Sequence, residues 1–156
     1  MLLEKVYQPD ISVYQDGVLG PIFMIEVVED PARATAAEER LKQRMAAQIC
    51  YHGALVNEGR MRVLDIFPNR FLGHDVKIAA DLDLSEELKR VSEQSRELWS
   101  SERNFFEWIH GYAQNESAKS LSPVDQEILR REVLSWIKGL ILDFTSLRGN
   151  LIGQVF

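Results

Sequence analysis

The chain carries one cysteine, Cys50, in 156 residues, and a lone cysteine excludes an internal disulfide. A protein without such staples suits a reducing compartment. Cys50 falls in a segment of helical character, where a small side chain on a helix face is the plainest reading of it. Long hydrophobic runs are also missing. Stretches such as the four residues Gly139–Leu142 fall far short of the roughly 20 that a membrane-spanning helix needs. The opening Met-Leu-Leu-Glu-Lys becomes charged too soon for a secretory signal. Together these absences predict a cytoplasmic protein.

Basic charge is scarce as well. Eighteen Lys and Arg face 24 Asp and Glu, a net of -6. Both halves share the deficit: residues 1–80 hold nine cations and eleven acids, and residues 81–156 hold nine and thirteen. Arg60, Arg62, Arg70 and Lys77 form a local basic cluster in the sequence, yet the overall sign opposes tight binding to a phosphate backbone. Gly-rich phosphate loops, zinc-type cysteine spacings and nucleophile elbows are absent. His52, His74 and His110 lack metal-ligand spacing and read as surface or capping residues.

What the chain does hold is an ordinary globular balance, 46% apolar and 27% charged, at a length that suits one domain or one domain with a helical extension. Ile11–Tyr14 alternates as a strand does and runs into Gln15-Asp16-Gly17, a turn signal. Gly20-Pro21 then opens Ile22–Val28, six apolar residues of seven, which predicts a central strand buried on both faces. Asp30-Pro31 closes it. Ala34–Tyr51 is built of helix formers, with Leu41, Met45, Gln48 and Ile49 on one face, and His52-Gly53 reads as its stop. Arg62–Phe67 predicts another strand and Phe71–Ile78 a further one. The order strand, strand, helix, strand implies a small mixed sheet with a crossover helix.

From Asp81 the pattern changes period. Leu84, Leu88, Val91, Ser95, Leu98, Glu102, Phe105, Ile109 and Tyr112 step by four and three, a helical seam that Trp99, Phe106 and Trp108 widen. Gly111–Ser122 reads as a polar linker. Ser122-Pro123-Val124-Asp125 is a helix start, and Leu129, Val133, Trp136, Ile137, Leu140, Ile141 and Phe144 extend that helix toward Arg148-Gly149. The expected class is α+β: a β-rich core over residues 1–80, then an antiparallel helical hairpin over 81–156 packed on the core or on a partner.

Two acids stand out among the strands. Asp10 follows Pro9 at the mouth of the first strand, and Glu26 sits mid-way along the central one, on the same face as Met24 and Val28. A carboxylate in such a strand is costly to bury without a metal ion, an arginine or a raised pKa. Pro9-Asp10, a short hairpin and then Glu26 in an apolar strand resemble the pattern of the PD-(D/E)XK nuclease-like superfamily. The resemblance covers about residues 5–67 and extends to Gln48 on the following helix. It implies a restriction-endonuclease-like core in which Asp10 and Glu26 hold magnesium or manganese, with a lysine two residues after the second acid assisting the attacking water. That lysine is replaced by Val28, which can neither carry charge nor orient water. Lys42 and Gln48 on the helix are the candidate stand-ins, and Glu4 is a weak substitute for the acid of a preceding helix.

The residues also admit plainer roles: Asp10 as a turn cap and Glu26 as an acid paired with Arg62 or Arg70. Two functions follow. One is a catalytically degenerate nuclease-like domain serving as a binding or assembly module, with a homodimer through the helical region or another protein as partner. The other is an active metal-dependent nuclease that hydrolyses nucleic-acid phosphodiesters.

Overall fold

The computed structural model describes residues 11–15, 17, 19–69, 73–94, 100–137, 141–144 and 154–155. Within them, the alternating segments of the first half become one mixed sheet of seven strands. In chain order the strands are β1 (Ile11–Tyr14), β2 (Phe23–Val28), β3 (His52–Asn57), β4 (Arg60–Asn69), β5 (Gly73–Asp83), β6 (Ile141–Phe144) and β7 (Gln154–Val155). Across the sheet the order is β5-β4-β3-β2-β1-β6-β7. This is the α+β arrangement with a mixed sheet that the hydrophobic pattern implied.

β1 and β2 form the expected antiparallel hairpin, with Ile11 opposite Ile25 and Val13 opposite Phe23. β2 lies fourth of seven, and all but one of its side chains are buried, as its apolar run requires. Helix α1 (Ala34–Ala47) then crosses over to β3, which lies parallel to β2 with Ile25 opposite Ala54. The sequence reading had no strand at His52–Asn57 and sent the crossover directly to Arg62–Phe67. Gly53 and Ala54 are poor strand formers taken alone. Pairing on both sides and burial on both faces hold them in the sheet.

The stop of α1 also differs. Gly53 does not end the helix; it lies inside β3, where an added Cβ would come within 2.6 Å of Met45 Sδ and 2.9 Å of the Met24 carbonyl oxygen. The helix ends in a Schellman motif. The Cys50 N–H donates to the Met45 carbonyl at 2.8 Å and the Ile49 N–H to that of Ala46 at 3.3 Å. Ile49 therefore occupies the left-handed position, φ 54°, that glycine usually fills. Cys50 follows the helix rather than lying in it.

Between β3 and β4 a two-residue turn, Glu58-Gly59, has positive φ at both positions, 51° and 81°. That is the turn geometry whose twist matches an antiparallel hairpin. β4 and β5 pair over their whole length, with a register shift at Val63/Leu64.

Two apolar layers cover the sheet. One face packs against α1 through Met24, Val28, Ala37, Leu41, Met45, Leu55, Leu64 and Ile66. The other carries Ile11, Val13, Phe23, Ile25, Val27, Ala54 and Val56 against the second half of the chain. There the seam predicted from Leu84 to Tyr112 is two helices, α2 (Ser85–Gln94) and α3 (Ser101–Asn115), and α3 begins at Ser100, whose Oγ accepts the Arg103 N–H at 3.2 Å. α2 and α3 pack on each other, and α3 contacts β2. Ser95, Leu98 and Trp99 lie outside the described residues. Gly111 belongs to α3, so the linker is shorter than expected and covers residues 116–122.

Ser122 caps the next helix as predicted, accepting from the Asp125 N–H at 3.2 Å. That helix, α4 (Pro123–Leu129), continues through a π-helical stretch, Arg130–Leu134, into α5 (Ser135–Ile137). It does not reach Phe144. Ile141–Phe144 instead enters the sheet as β6, antiparallel to β1. A run of apolar residues after a helix fits either state locally, and pairing with the open side of β1 decides it.

Candidate functional site

The candidate site is built on β2. Its α1-side residues are Met24, Glu26 and Val28, and the first and last lie in the apolar layer beneath that helix. Glu26 is half-buried between them. Strand register aligns Glu26 with Leu55 on β3, Leu55 with Arg62 on β4, and Arg62 with Asp81 on β5. One row across four strands thus carries acid, leucine, arginine and acid.

Above this row sits the polar side of α1. Glu38 accepts from Arg62 Nη1 at 3.0 Å and lies 3.5 Å from Lys42 Nζ. Lys42 also bonds Glu39 at 3.2 Å. Lys42 is therefore neutralised by two acids of its own helix, one turn back. Gln48 stands at the opposite end of α1, its Oε1 4.0 Å from the point where a Gly20 Cβ would lie. That places it at the entry to β2, whereas Glu38 and Arg62 border the row that contains Glu26. Asp10 and Arg70 lie outside the described residues, as does Glu4.

Next to the Glu38–Arg62 pair is a cavity of about 240 Å³ lined by Thr35, Glu38, Asn57, Arg60, Arg62 and Asp81 among others. Both arginines in it have acidic partners: Arg60 bonds Asp81 at 3.1 Å and Arg62 bonds Glu38. These pairs cross-link α1 to β4 and β4 to β5, while Arg62 Nε and Asn57 Oδ1 in the same wall are buried without a hydrogen-bond partner among the described residues. Among the described residues no group of three or more His, Cys, Asp or Glu is placed to hold a metal ion. The described part of the site therefore does not supply the oxygen-rich donor set that magnesium or manganese needs.

The other reactive types have structural surroundings. The Cys50 thiol donates to the His52 carbonyl at 3.2 Å, and burial pushes its pKa up to about 11, so the nucleophilic thiolate is suppressed. His52 is partly buried and held on two sides. Its Nδ1 lies 2.8 Å from Asp65 Oδ1, and its ring stacks on Trp136 at 3.9 Å between centroids. His110 packs its ring near Phe106. The side chain of His74 is outside the described set.

Reading the sequence missed Glu38. The signal was available: Glu38 and Lys42 are four apart on a helix, a pairing distance, and Leu41, next in line, is a core position. Comparison with known proteins adds no assignment, since no protein-family model, curated protein or solved structure matches the chain.

Proposed function

We propose that this chain is a catalytically degenerate domain of nuclease-like design that works as a binding and assembly module in the cytoplasm. The observation that carries the reading is Val28. The position that holds the lysine in the PD-(D/E)XK pattern is occupied by a side chain only 8% exposed, clustered with Leu41, Met45 and Leu55. A cation there would have to leave water and enter an apolar cluster. Lys42, the nearest substitute in the sequence, is held by Glu38 and Glu39. The net charge of -6 opposes binding to a phosphate backbone and so favours a protein partner over nucleic acid. No described helix is long and apolar enough to cross a membrane.

A second reading, an active metal-dependent nuclease, is favoured by one feature: a half-buried carboxylate, Glu26, in the middle of the central strand. In it Asp10 and Glu26 hold magnesium or manganese, and Lys42 or Gln48 assists the water. Calorimetric titration of either ion into the wild-type protein separates the two. The module predicts no saturable binding and no cleavage of DNA or RNA. Saturable binding that disappears in both Asp10→Ala and Glu26→Ala would overturn it in favour of the nuclease.

A further inference from the structure

We infer that the exposed half of β5, Asp75–Ile78, is where two copies of this chain pair, edge to edge and antiparallel, with Val76 at the two-fold axis. The inference rests on the assembly reading above and gives it a surface and a partner.

Among the described residues β5 is the last strand on its side of the sheet, so its outer backbone groups form an edge, which is a template for another strand. At the opposite edge, β7 has two described residues. Along β5 the exposure changes character at Ala79, beyond which it alternates, with Asp81 and Asp83 exposed. Asp75, Val76, Lys77 and Ile78 are exposed, while Ala80 and Leu82 are buried in the core beneath the C-terminal helices. The exposed run among the described residues is thus four residues long, about the length of a short strand.

Its chemistry is apolar on one face and charged on the other. Val76 lies opposite Ile66 and Ile78 opposite Leu64. Both β4 residues are buried beneath α1. The apolar layer under the helix therefore continues past it to the edge, where Val76 is 41% and Ile78 48% exposed. Tyr51, whose carbonyl accepts the Ile66 N–H at 2.9 Å, flanks Ile66 from the other side and is 43% exposed. On α3 the seam residues Phe105, Phe106, Trp108, Ile109 and Tyr112 are all buried within the chain.

The alternate face fixes the register. Asp75 and Lys77 flank Val76 and point to the same side of the sheet. Antiparallel pairing about Val76 sets Asp75 of each copy opposite Lys77 of the other. Two ion pairs then form on one face and a valine pair on the other. A shift that centres the pairing on Lys77 sets lysine against lysine and is disfavoured for the same reason. The segment is self-complementary in one register only of these two.

Sedimentation velocity of the full chain over a wide concentration range tests the inference. The wild type is expected to dimerise. Asp75→Lys and Lys77→Asp should each weaken the dimer by about tenfold or more, since each converts two attractive pairs to repulsive ones. The double variant Asp75→Lys/Lys77→Asp should return close to wild-type affinity, which a misfolded protein would not do. A dimer whose affinity ignores both single reversals overturns the β5 surface while leaving assembly through another face intact. A protein that stays monomeric at the highest concentration overturns the pairing and second-copy assembly together, and leaves the loss of metal chemistry to be judged by the titration alone.

Discussion

His52 on β3 and Trp136 on α5 stack with their ring centroids 3.9 Å apart, and Asp65 on β4 holds the same imidazole from its Nδ1 at 2.8 Å. One side chain thus ties two strands to the last helix. Removing Trp136 as Trp136→Ala should cost about 2–4 kcal/mol of stability, somewhat below the range for fully buried aromatic deletions because Trp136 is partly exposed. In a double-mutant cycle with His52→Ala the two changes should couple by about 1 kcal/mol, the size measured for ring pairs. Urea unfolding of the four proteins gives the number. Additive losses would show that the stacking contributes nothing of its own.

Ile49 carries a β-branched side chain in the left-handed region while 70% exposed. The strain is not offset by burial of the side chain. Ile49→Gly should therefore raise stability by about 1 kcal/mol, because the helix-end hydrogen bonds remain and the backbone conflict goes. The gain would appear as a higher denaturation midpoint at unchanged m-value.

Val28→Lys restores the residue type that the nuclease pattern asks for. It should nevertheless destabilise the fold by about 2–4 kcal/mol, since a long charged side chain replaces valine in a packed apolar cluster. Magnesium-dependent cleavage of DNA or RNA should not appear. A stable Val28→Lys protein with new hydrolytic activity would mean that the site needs only that one residue to work.

Cys50 predicts how stability falls in alkali. Its thiol titrates at about 11 in the folded chain against an ordinary 9.0, because burial disfavours the thiolate. The unfolded chain loses this proton first as pH rises, so the contribution is intact below pH 9 and is lost progressively up to about pH 11. The loss should reach about 2–3 kcal/mol at most. Cys50→Ala should flatten that part of the stability profile, whatever it costs at neutral pH. Thiol reagents should label the native protein slowly and the unfolded protein at once.

Much of this fold was legible before any coordinates. Six apolar residues around Glu26 marked the central strand, Asp30-Pro31 its end and Ser122-Pro123 a helix start, because each rests on a local rule of backbone chemistry. What escaped was decided by distant partners. Gly53 is a strand residue because Met45 fits where its side chain would be. Ile141–Phe144 is a strand because β1 has a free side to pair with. Ile49 fills a glycine position, so the usual punctuation for the end of α1 was missing. At the candidate site the sequence pointed to Glu26 and Val28, but the Glu38 bridge between Lys42 and Arg62 depends on α1 lying over β4, which no spacing along the chain reveals.

The pairing of β6 with β1 sets the timetable on which this protein can become complete. Ile11 finds Phe144 across 133 residues of chain, a contact of high sequence separation and so a slow one to form. On a ribosome the β5-β4-β3-β2-β1 part of the sheet can assemble while the tail is still being made, and β1 must wait as a temporary edge until residue 144 has emerged. During that interval the nascent chain presents β1 as its second edge where the finished sheet presents β7, and it is then that β1 is open to mispairing with a neighbour.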